Sequence, residues 1–67
     1  MIALTRLNDT GFILNCDLIE TVQDNPDTTI RLTTGNIYIV KESVDEVVDL
    51  TVRYKRSLFA GPPKREG

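Results

Sequence analysis

Residues 28–48 read TTIRLTTGNIYIVKESVDEVV, and the fold follows from where the period of this stretch changes. Ile30 and Leu32 alternate with Thr29, Arg31 and Thr33, the period-two pattern of a half-buried strand over Thr28 to Thr34. Thr34-Gly35-Asn36 turns the chain and Ile37-Tyr38-Ile39-Val40 returns, so the two runs form a β-hairpin. After Lys41-Glu42 the spacing becomes helical. Ser43-Val44-Asp45-Glu46 fits a capping box, in which the Ser43 hydroxyl accepts from an amide of the first turn and Glu46 reaches back. Val44, Val47, Val48, Thr51, Tyr54 and Leu58 then fall on one stripe, widened by Leu50, and predict a helix from about Val44 to Arg56. Asp45, Glu46 and Asp49 precede Arg53, Lys55 and Arg56, the order that complements the helix dipole. The valines lower helix propensity, so packing on the sheet has to stabilise this helix.

Toward the N-terminus, Asp24-Asn25-Pro26-Asp27 signals a turn, with Pro26 suited to its second position and the Asn and Asp side chains able to bond their own backbone. Leu18 to Val22 reads as a strand of ambiguous phase, because Leu18, Glu20 and Val22 share one side while Ile19 faces the other. Ile2 to Leu7 and Phe12 to Leu14 flank the cluster Asn8-Asp9-Thr10-Gly11, which predicts a first hairpin with Gly11 free to take positive φ. Past the helix, Gly61-Pro62-Pro63 cannot continue it. The expected class is α+β: a small antiparallel sheet of about five short strands, arranged as hairpins, followed by one C-terminal amphipathic helix. One compact domain is expected over residues 1–58, with a flexible basic Gly/Pro tail over 59–67.

A chain of 67 residues buries only roughly 60% of the surface it exposes when unfolded, and folds this small often rely on disulfides, a metal or a partner subunit. Cys16 is the single cysteine and histidine is absent, so no disulfide can form within the chain and a structural zinc site is poorly served. Without histidine there is no Ser-His or Cys-His pair for nucleophilic catalysis. No enzyme activity, catalytic residue, metal or cofactor is therefore expected. A homo-oligomer, formed through an open sheet edge or the helix face, is. Cys16 has no basic neighbour in sequence and reads as a buried structural thiol. Asp24, Asn25 and Asp27 lack the calcium-loop spacing and read as turn chemistry. Thr28, Thr29, Thr33 and Thr34 fit strand propensity, and Tyr38 and Tyr54 fit the core.

No apolar run exceeds four residues, against the roughly 20 that span a bilayer. The first residues carry no secretory signal pattern, and a cytoplasmic location is expected, with room for a role at the cytoplasmic face of the membrane. The net charge of −2 conceals a split: residues 1–50 carry three basic and nine acidic side chains, residues 51–67 five basic and one acidic. Helix electrostatics and a solvated tail account for this without a partner. The functional alternative makes Arg53, Lys55 and Arg56 the candidate partner-binding residues, facing an acidic protein surface or anionic lipid of the inner leaflet.

Leu4-Thr5-Arg6-Leu7-Asn8, Phe12-Ile13-Leu14-Asn15, Leu18-Ile19-Glu20, Pro26-Asp27-Thr28, Leu32-Thr33-Thr34-Gly35, Tyr38-Ile39-Val40-Lys41-Glu42-Ser43 and Val44-Asp45-Glu46-Val47 occur in this order. Together they resemble the FlbD/SwrD family of small flagellar and swarming-motility proteins over roughly residues 2–56. The chain departs from many relatives in having Asn8-Asp9-Thr10-Gly11 where they carry Asn-Gly, and in its Gly-Pro-Pro basic tail. The resemblance implies a non-enzymatic accessory of bacterial flagellar motility, linked to swarming and to the power of the flagellar motor through its stator, and it supplies no site residues. A looser resemblance over residues 12–50, to the LytTR-type DNA-binding domain, implies a DNA-binding regulator instead. The acidic balance of residues 1–50 argues against nucleic acid as the partner.

Overall fold

A computed structural model describes residues 1–60. Five strands, β1 (Ile2–Thr5), β2 (Gly11–Leu14), β3 (Ile19–Asp24), β4 (Thr28–Leu32) and β5 (Ile37–Val40), precede one helix, α1 (Val44–Ala60). β1 and β2 form an antiparallel hairpin, and β3, β4 and β5 an antiparallel meander. An Arg6–Val40 bridge and the Lys41 amide, which donates to the Thr5 carbonyl at 2.8 Å, join the two sheets. The class is α+β, as the sequence implies. From residue 61 onward, the expected tail lies outside the described residues.

The period-two alternation decides which face is buried. Ile2 and Leu4 from β1, Leu14 from β2, Ile30 and Leu32 from β4 and Val40 from β5 turn inward, where Val47 of α1 and Cys16 close the core. Thr28 is buried with them. Ile37 and Ile39 of β5 point outward and are exposed.

The ambiguous phase of the third strand has a structural cause. Ile19 pairs with Leu32 and Thr21 with Arg31, so Glu20 is the extra residue of a β-bulge. The bulge shifts the alternation by one, bringing Ile19 and Val22 onto the core face while Glu20 and Thr21 are exposed. Leu18 is not strand; it closes a 3-10 turn (Cys16–Leu18) whose preceding residue, Asn15, accepts from the Asp17 amide at 3.1 Å.

Two turns differ from expectation. In the first, Asp9 takes the left-handed conformation at φ 71° while Gly11 does not, and Asn8 steadies the turn by accepting from the Thr10 amide at 3.1 Å. In the second, the Asn25–Pro26 peptide is cis. Gly35 does take positive φ, at 94°.

The capping box closes both ways. The Glu46 amide donates to Ser43 Oγ at 3.1 Å and the Ser43 amide donates to Glu46 Oε1 at 2.8 Å. The helix continues to Ala60, four residues past the expected end, because nothing before Gly61 breaks it. Of its predicted apolar stripe Val47 is buried and Val44, Leu50, Thr51 and Tyr54 are half-buried, but two residues are exposed: Val48 at 50% and Leu58 at 58%.

Candidate functional site

α1 lies across β1 and β3 and leaves a groove along its β3 side. Cys16 and Val47 form the floor, at 4% and 1% exposure. Ile19 and Val22 form one wall and Val48, Thr51 and Val52 the other, enclosing about 280 Å³. The lining is predominantly apolar because the bulge at Glu20 turns both Ile19 and Val22 toward the helix. Lys55 spans one end of the groove, its Nζ 3.1 Å from Asp17 Oδ1. Cys16 is the buried thiol anticipated, and the N-terminal amine lies 3.8 Å from its Sγ. Beyond this wall, among the described residues, β3 pairs with β4 alone and stands at the edge of its sheet.

The structure does not gather Arg53, Lys55 and Arg56 into one patch. Residues two apart point to nearly opposite sides of a helix, whereas residues three apart are neighbours. Arg53 and Arg56 therefore share one side, with Arg53 Nε 2.9 Å from Asp49 Oδ2, and Lys55 lies over the groove. All three side chains are exposed, and Arg56 has no ion pair with another described residue.

Three features escaped the sequence reading. Val48 and Val52 form an exposed apolar flank on α1, visible only once the sheet is known to cover the neighbouring stripe. The Arg6 guanidinium stacks on Phe12 at 4.4 Å and on Tyr38 at 5.2 Å, with the two rings 5.4 Å apart. This arrangement gives Phe12 and Tyr38 a half-buried rather than a core role. The third is Glu42, whose Oε1 and Oε2 each accept at 2.9 Å, from the Thr5 amide and the Thr5 hydroxyl. Partial burial pushes this carboxyl up, but the Thr5 bonds and the Glu42 amide outweigh it and hold the carboxyl below its ordinary value. Glu42 thus anchors the first hairpin to the start of α1.

Among the described residues, no group of three or more His, Cys, Asp or Glu is placed to hold a metal ion. None of the described helices is long and apolar enough to cross a membrane. In comparisons with known proteins, the family model for FlbD, flagellar and swarming motility proteins, matches residues 1–59. No curated protein and no solved structure matches the chain.

Proposed function

The chain belongs to the FlbD family of flagellar and swarming motility proteins, and from that premise we propose that it is a non-enzymatic accessory that binds the stator of the flagellar motor and supports the power the motor delivers. In this reading it works in the cytoplasm, at the membrane face beside the motor, through protein–protein contact.

The observation that supports this is the C-terminal end of α1. A helix of 17 residues is about 25 Å long, while strands of four to six residues span only about 13–20 Å. The last turns outrun the sheet, and Leu58, on the stripe that Val47 and Tyr54 bury, is left 58% exposed. Residues 51–60 carry Arg53, Lys55 and Arg56 and no acidic residue. Leu58 stands on one side of this helix end and Arg53 and Arg56 on the other, an amphipathic end that suits an apolar groove with carboxylates at its rim.

The test is a gene deletion in the flagellated host, complemented with wild type or with Leu58→Asp combined with Arg53→Glu. Tethered-cell rotation reads torque, beside filament number and flagellin transcript. The expected result is a fall in torque with number and transcript unchanged, rescued by wild type and not by the folded double variant. Rescue by that variant, or loss of transcript and filaments in place of torque, overturns the proposal; the second outcome would favour gene regulation.

A further inference from the structure

Along the outer flank of α1 run Asp45, Val48, Asp49, Val52 and Arg56, at spacings of three and four residues. Val48 and Val52 stand in the middle at 50% and 40% exposure. The acidic residues lie toward the N-terminal end and Arg56 toward the C-terminal end. We propose that this flank is a homodimer interface, in which two copies of α1 pack antiparallel about a two-fold axis near Val52.

The argument is one of self-complementarity. A two-fold interface presents the same patch from both sides, so whatever charges it carries must match themselves after rotation. Parallel pairing would set Asp45 and Asp49 against their own copies, and Arg56 against Arg56. Antiparallel pairing centred near Val52 sets Arg56 of each copy beside the turn that holds Asp45 and Asp49 of the other. Each dimer then has two such crosses, with the valines between them. Among the described residues Asp45 has no ion-pair partner, and Asp49 is paired only with Arg53 through one oxygen, leaving its other oxygen for the crossing arginine. The apolar middle continues into the groove beside β3, so a second helix seated on Val48 and Val52 also shields Ile19 and Val22. Leu58 lies on the opposite side of the helix from Arg56, so the aliphatic anchor proposed above for the motor contact stays open in the dimer, while Arg53 borders the flank and Arg56 is taken up by the pairing.

Sedimentation equilibrium on the full chain, over a concentration series reaching the millimolar range, tests the pairing. The mass should rise from 7.5 kDa toward twice that value, and Val52→Asp should remain a monomer while its circular dichroism stays native. Arg56→Asp alone, and Asp45→Arg with Asp49→Arg alone, should each weaken association by at least about tenfold. Mixing the two should restore it, because both crosses then join opposite charges. Val52→Cys should cross-link to a covalent dimer under mild oxidation, and Ser57→Cys, on the other flank, should not. A monomer throughout the series overturns the proposal and points to a different protein as the occupant of the groove. A dimer that survives Val52→Asp, or that the charge-swapped mixture fails to restore, overturns this interface.

Discussion

The two ends of α1 share one stripe but meet different surroundings. At the N-terminal end Val47 is 1% exposed against the sheet, and the Ser43–Glu46 box closes the first turn. At the C-terminal end Leu58 continues the same spacing and is 58% exposed. What a stripe position contributes therefore depends on whether the sheet reaches it. The docked end supplies stability, and the overhanging end leaves apolar surface available for a partner.

The comparison breaks most sharply under matched substitutions. Val47→Asp places a carboxylate in the core without a partner, a penalty of several kcal/mol. A domain of this size has roughly 3–10 kcal/mol of stability in all, taking roughly 0.05–0.15 per residue. The variant should therefore be largely unfolded at room temperature. Leu58→Asp should shift stability by no more than about 0.5 kcal/mol, as exposed positions generally do. Urea titration followed by circular dichroism reads both, and equal losses would mean that the overhang is packed.

A smaller effect comes from the cap. Ser43→Ala removes the acceptor for the Glu46 amide and should cost about 1 kcal/mol, within the 0.5–2 range for such caps. A value near zero in the same titration would show that packing of Val47 holds the first turn without it.

Residues 28–48 were legible because each local signal there agrees with its neighbours. Ile30 and Leu32 alternate cleanly, and Gly35 takes the positive φ its turn needs. Ser43 and Glu46 announce the helix start through side chains only three residues apart. The bulge at Glu20 was illegible because it exists only relative to β4; Leu18 to Val22 shows an inconsistent phase and no reason for it. Two more positions depended on distant geometry: the exposure of Val48 is set by which side of the helix the sheet covers and that of Leu58 by where the sheet stops, and the stripe itself encodes neither. Of the three basic residues singled out, the separation of Lys55 from Arg53 and Arg56 follows from helical spacing, yet a charge count along the chain hides it.

The finest distinction concerns how the docked end is tied to the rest of the fold. Glu42 precedes α1 and accepts from the Thr5 amide and hydroxyl, so the junction of hairpin, meander and helix rests on a carboxylate. Its carboxyl is held below the ordinary value in the folded protein. A depressed carboxyl stabilises the fold above its unfolded value, and the contribution fades as pH falls through the folded one. Glu42→Gln keeps an oxygen to accept one Thr5 bond but cannot ionise. The variant should be less stable than wild type at neutral pH, and the gap should close as pH falls through and below the usual carboxylate range. The effect should be smaller than the loss of the cap, because solvent reaches this side chain and screens it. Urea midpoints measured across that range check it. A gap that is constant with pH would assign Glu42 a role through hydrogen-bond geometry alone. One that widens toward acid would contradict the direction of its shift, and with it the view that charge at this junction holds the docked end of α1 in place.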